Sequence, residues 1–100
     1  MYLIREVMHC RPGKVTPLVK KFKDLSKALN KLGHKWPMRI LTDVSSNRYW
    51  TMVSEVEVGS IEEYIEMSRT TMAEPSIQKA MKDYHDLVDE GYREILRIEH

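Results

Sequence analysis

The hydrophobic period of this chain switches from two to 3.6 and back, twice, and that order leaves few folds open to it. Tyr2 to Cys10 (YLIREVMHC) alternates and is rich in β-forming residues, which predicts a strand. Pro12-Gly13 marks a turn. Thr16 suits a helix N-cap and Pro17 the first helical position. Val15, Leu18, Val19, Phe22, Leu25, Leu29 and Leu32 then recur at helical spacing until Gly33. Trp36-Pro37 leads into a second strand near residues 38–45. The turn-rich SSNR links it to a third at residues 49–58. Ser60 and Glu63 form an S-x-x-E capping box for a helix with Ile61, Tyr64, Ile65 and Ser68 inward. Glu74-Pro75 breaks the pattern. Ile77, Ala80, Met81, Tyr84, Leu87 and Val88 form another helical stripe, expected to stop at Gly91, and residues 92–99 (YREILRIE) read as a fourth strand.

The order β-α-β-β-α-β, with the second helix split, is the ferredoxin-like arrangement of an α+β fold. It predicts an antiparallel four-stranded sheet with strands one and three central, strand four beside strand one, and the helices on one face. At 100 residues the chain is expected to be a single domain.

Side chains alternate faces along a strand. The even-numbered set of strand residues, including Ile4, Met8, Met38, Ile40, Trp50, Met52, Val56, Tyr92 and Leu96, is mostly apolar and is assigned to the helix-covered face. The odd-numbered set mixes Arg5, His9, Arg39, Glu55, Arg93 and Arg97 with Leu3, Val7, Leu41, Val53 and Ile95. A sheet face open to water is usually plainer in its polarity. Apolar residues among charges of both signs suit a subunit interface, and a homodimer through this open face is expected.

Composition narrows the class. Hydrophobic residues are 42%, charged residues 31% and the net charge is +1, so no overall field selects nucleic acid or anionic lipid. Lys14, Lys20, Lys21, Lys23, Lys27, Lys31 and Lys35 cluster early and residues 55–94 are acidic, a pattern of solvated helix faces. There is no membrane-length apolar run and no signal-peptide pattern, and one cysteine makes no internal disulfide. A cytoplasmic setting is expected. The third strand, RYWTMVSEVEV, lacks the glycine-aromatic pattern of an RNA-binding sheet, so no nucleic-acid partner and no membrane partner are expected.

Several residues invite a chemical reading. Glu6 and Glu94 break the apolar even-numbered face on strands expected to be neighbours, and two carboxylates held together can share a proton and transfer it. His85 borders the second helical stripe, with Asp89 four residues on, and is the third candidate for proton handling. Tyr64 and Tyr84 would orient a ligand, and Trp50 and Met52 would wall an apolar pocket. His9 and Cys10 are adjacent, so strand geometry sends His9 to the open face and Cys10 to the core. No C-x-x-C or H-E-x-x-H spacing occurs, and neither metal nor cofactor is implied.

The strand ending in RPGK, the MRILTD and YWTMVSEVEV strands and the closing REILRIE together resemble the dimeric α+β-barrel superfamily, within it the NIPSNAP-like and antibiotic-biosynthesis-monooxygenase-like domains. That resemblance covers nearly the whole chain. It implies two sheets packed face to face in a dimer and a small organic ligand between sheet and helices. Members with activity oxidise or isomerise polyketide-like or aromatic substrates without metal or flavin; some relatives bind or degrade haem; many have no known activity. No catalytic set of the family matches here residue by residue. The expectation is a homodimer with an apolar pocket for a small organic ligand, either a cofactor-independent monooxygenase or isomerase, or a non-catalytic binding or assembly module.

Overall fold

The computed structural model describes residues 1–34 and 36–100; Lys35, part of the early lysine cluster, lies outside the described residues. The chain runs β1 (Tyr2–Cys10), α1 (Val15–Lys31), β2 (Met38–Thr42), β3 (Thr51–Val58), α2 (Ile61–Thr71), α3 (Pro75–Ala80), a 3-10 turn (Tyr84–Leu87) and β4 (Val88–Arg97). The sheet is antiparallel in the order β2-β3-β1-β4. This is the ferredoxin-like α+β architecture expected from the periodicity, with β1 and β3 central. None of the described helices is long and apolar enough to cross a membrane.

Local chemistry sets most element ends. α1 begins one residue before the expected Thr16 cap: Lys14 occupies the N-cap without a side-chain bond, and Pro17 falls inside the first turn. Gly33 closes α1 at φ +91, where its own N–H donates to Asn30 and the N–H of His34 donates to the Leu29 carbonyl. Ser60 caps α2 by accepting from the Glu63 N–H at 3.3 Å, the expected half of the capping box. β2 stops at Thr42, short of Ser45, and β3 starts at Thr51, past Tyr49. Asp43 and Thr51 lock the hairpin base: the Asp43 N–H donates to the Thr51 carbonyl, and the Thr51 N–H donates to Asp43 Oδ1 at 2.9 Å. Trp50 takes a left-handed φ of 60 and is exposed, not mid-strand in the core as expected.

The second half departs most from expectation. The stripe from Ile77 to Val88 is not one helix. α3 ends at Ala80, Asp83 turns left-handed (φ 62), and Val88 already belongs to β4. Gly91 is therefore a strand residue, not a helix stop. A Cβ there would lie 2.9 Å from the Val7 carbonyl oxygen, so the close approach of β1 favours glycine. Cys10 pairs with Val88 while His9 pairs with Glu90, which leaves Asp89 as the extra residue of a bulge.

That start sets the phase of β4. Glu6 pairs with Arg93, Arg5 with Glu94, and Val7 with Tyr92. Directly opposed residues share a face. The even-numbered residues of β1, β2 and β3 face the helices as predicted, but from Glu90 onward β4 is in opposite phase. Arg93 and Ile95 lie on the helix side; Tyr92, Glu94 and Leu96 lie on the open side.

The core sits between α1 and the central strands. Met8, Cys10, Leu18, Phe22 and Met52 form its buried cluster, flanked by Val15, Val19, Met38, Met81 and Val88. Cys10 is the buried hydrophobe expected of it, and burial pushes its thiol above the usual range, with Asp43 and Asp89 adding to the effect.

His9 lies on the opposite face, buried, with Nδ1 3.3 Å from Thr51 Oγ1. That hydroxyl donates to the Arg48 carbonyl, so its oxygen accepts from the ring. Burial, then the charge of Arg48, lowers the His9 pKa below 6.5. The unfolded chain therefore binds the proton first as pH falls. His9's contribution is intact above about pH 6.5 and is lost progressively below it. In thermal melts, the drop in Tm from pH 7 to pH 5 is expected to be smaller for His9→Gln than for the parent.

Candidate functional site

A cleft of about 680 Å³ opens between the helices and the sheet. Its floor is built from helix-facing strand residues, among them Ile4, Met8, Met38 and Val56, with Ser54 and Glu6 as polar positions. α1 contributes Phe22, Leu25 and Leu29; α2 contributes Tyr64, Met67 and Ser68; Ile77, Met81, Tyr84 and His85 close the far side. Unbranched methionines suit such a wall because they adapt to irregular shapes.

An ion pair on the floor of the cleft reaches a helix aromatic. Glu6 on β1 bonds Arg93 on β4, which is directly opposite in register. The Arg93 guanidinium also lies 5.5 Å from the centre of the Tyr64 ring, a cation-π placement. Burial works against the charge on Arg93, but the Glu6 bond and the negative potential of Tyr64 and Glu6 outweigh it and raise its pKa further. Trp36 continues the row, tilted on Tyr64 at 6.3 Å, and His34 follows at 6.4 Å from Trp36. The result is an aromatic and charged seam in a mostly apolar cleft that also carries Ser54, Ser68, Thr71, His85 and Asp89.

The predicted site residues divide in two. Glu6, His85, Tyr64 and Tyr84 all line the cleft. Glu94 does not. The β4 phase puts it on the other side of the sheet, where it bonds Arg5 at 3.0 Å, so Glu6 and Glu94 cannot share a proton. Met52 faces the helices but is fully buried in the core below. Trp50 lines a separate cavity with Val15, Thr42, Asp43 and Tyr49. His85 and Asp89 are not one helical turn apart: His85 stacks on Tyr84 in the 3-10 turn, and Asp89 pairs with Arg11 across the bulge.

Arg93, Trp36 and His34 line the cleft without being candidates in the sequence. Strand parity puts Arg93 on the open face; its opposite charge to Glu6 is the available signal. Trp36 reads as a connector, although a large aromatic in a short polar link is itself an indication of a docked side chain. Among the described residues, no group of three or more His, Cys, Asp or Glu side chains is placed to hold a metal ion.

No family model matches the chain, and no curated protein matches it. Solved structures do. A NIPSNAP domain protein from Burkholderia xenovorans is 15% identical with a TM-score of 0.79, over 98% of this chain and 94% of its own. A NIPSNAP family protein from Agrobacterium tumefaciens is 13% identical with a TM-score of 0.79, over 96% and 90%. A candidate antibiotic biosynthesis monooxygenase from Nitrosomonas europaea is 12% identical with a TM-score of 0.73, over all of both chains. At these identities the likeness is one of fold: the chain has the ferredoxin-like fold of the NIPSNAP-domain and antibiotic-biosynthesis-monooxygenase-like proteins.

Proposed function

We propose that this protein binds a small organic molecule with an apolar body and one polar end, and that it works as a homodimer joined through the open sheet face. The observation that carries the ligand is the cleft, whose volume falls within the range of small-molecule sites and whose mostly apolar walls carry Glu6, Arg93 and Tyr64 together. The polar end of the ligand sits at that seam. The enzymatic form of this reading follows the monooxygenase names among the fold neighbours. Both cofactor-independent oxygenation and isomerisation begin with loss of a proton from carbon. A ligand carbonyl that takes the Arg93 guanidinium releases Glu6 to accept that proton, and Arg93 stabilises the enolate oxygen. Isomerisation returns the proton to another carbon; oxygenation of a CH2 carbon adds molecular oxygen at the carbanion, and the peroxide takes back the proton and loses water, with its remaining C–H and O–O bonds broken, to leave a carbonyl. A non-catalytic binding module uses the same cleft without the proton step.

The chain has two tryptophans, and Trp36 alone lies at the cleft. In a Trp50→Phe background, 1-naphthol is expected to quench Trp36 fluorescence saturably. Ser68→Phe, which fills the cleft from α2, is expected to raise the Kd at least about tenfold, equivalent to about 1.4 kcal/mol. Equal quenching in both variants would exclude the cleft as the binding site. For a ligand so identified, Glu6→Gln separates the two forms: the enzymatic one requires loss of deuterium exchange at the ligand carbon with binding retained.

A further inference from the structure

On the open face, the register aligns two rows that cross all four strands. One is charged: Arg39 on β2 opposes Glu55 on β3, Glu55 opposes Arg5 on β1, and Arg5 opposes Glu94 on β4. Its ion pairs run the length of the row, with Arg39–Glu55 at 2.5 Å, Arg5–Glu55 at 3.0 Å and Arg5–Glu94 at 3.0 Å. The Arg5 Nε sits within ion-pair distance of Glu55 but is not aligned for a hydrogen bond, so a buried donor on this row is left without one. The second row, two residues along each strand, is apolar: Leu41, Val53, Val7 and Tyr92. Its ends are open, with Leu41 41% and Tyr92 53% exposed.

We infer that the charged row sets the geometry of a dimer between two copies of this chain, with the two-fold axis running along the strands. The inference rests on the homodimer proposed above. A two-fold axis along the strands reverses strand order across the interface and keeps each row at its own level. β2 then faces β4 and β3 faces β1. The row plus-minus-plus-minus, read backwards, is minus-plus-minus-plus. Arg39 therefore meets Glu94 of the partner subunit, and Glu55 meets Arg5 of the partner subunit. The apolar rows meet each other. A two-fold axis across the strands does worse in each of its three settings on these rows. Centred on the charged row, it sets like charges face to face; centred between the rows, it sets charges on apolar side chains; centred on the apolar row, it sets only Arg39 on an opposite charge, Asp43, and sets Glu94 on Glu90 and Arg5 on His9. Like charges opposed across an interface select against that arrangement, and desolvated charges without partners do the same. The alternation thus works as a register key, attractive in one arrangement and repulsive in the other.

Reversing the whole row tests the key. The variant Arg39→Glu, Glu55→Arg, Arg5→Glu, Glu94→Arg keeps every opposite-charge neighbour within the chain. Read backwards, it presents like charges to the parent row. Native mass spectrometry of an equilibrated equimolar mixture of parent and variant is expected to show the two homodimers, with the mixed dimer reduced at least about fivefold below its statistical share. A statistical mixture would mean that the row does not choose the partner arrangement, and an excess of mixed dimer would place the axis across the strands; either overturns the inference while the homodimer stands. A monomeric parent removes the homodimer itself, and the inference with it.

If the reversed variant does not fold, Arg39→Gln and Glu94→Gln answer the same question. These residues sit at opposite edges of one sheet, about 14 Å apart at about 4.8 Å per strand, beyond the screening length of about 8 Å at physiological salt. In a double-mutant cycle on dimer dissociation, their coupling is expected to be at least about fivefold in Kd. Additive effects overturn the key.

Discussion

Leu18→Ala is expected to destabilise the protein by about 3 kcal/mol, read as a fall in Tm of about 12–24 °C. Leu18 is 0% exposed and packs with Met8, Cys10, Phe22 and Met52 where α1 crosses the central strands. Truncation removes the transfer energy of the deleted carbons and leaves a void that the sheet is too rigid to close. Val15, at the first turn of the same helix and only half-buried, is the control. Val15→Ala is expected to cost about 1 kcal/mol or less, because its site can collapse toward solvent. Urea titration of both variants checks the contrast. Equal costs would mean that the α1 contact is not where the core is anchored.

Glu55→Ala carries the second large effect, an expected loss of about 2–3 kcal/mol of stability. Glu55 is a carboxylate of 10% side-chain exposure held by two guanidiniums, Arg5 and Arg39. Removing one member of a buried charge group strands the others, and that loss is larger than the net worth of the pairs. The figure is below the fully buried case because Arg39 is mostly in water. Glu55→Gln keeps the shape and an acceptor oxygen, so it is expected to recover about half of the loss. Chemical denaturation of the two variants separates these terms. Indistinguishable stabilities would show that shape, not charge, holds this position.

The phase of β4 is where sequence and structure part, and the candidate site follows it. β1 was readable because its chemistry is asymmetric: Ile4, Met8 and Cys10 on one parity, Arg5 and His9 on the other, with Glu6 the exception. β4 offers no such asymmetry, since Tyr92, Ile95, Leu96 and Ile98 put apolar residues on both parities. Its phase depends on where the strand begins and on the extra residue at Asp89, both fixed by pairing with β1. One step of register separated Glu94 from Glu6 and brought Arg93 in its place. Trp50 lies outside the expected strand for a related reason. A β-forming run does not show where a hairpin opens, and here the Asp43 and Thr51 bonds close the ladder just past it.

Local pattern determined the element order, the helix-covered face of three strands and the separation of His9 from Cys10; the strand neighbours followed from that order through the ferredoxin-like topology. The first three follow from periods and turn residues within a few positions, which act without long-range contacts. Tertiary structure alone decided which carboxylate lies in the cleft, which arginine answers it, and how Arg39, Glu55, Arg5 and Glu94 line up across the sheet. Those are relations between strands, and only the hydrogen-bonded register between distant segments sets them.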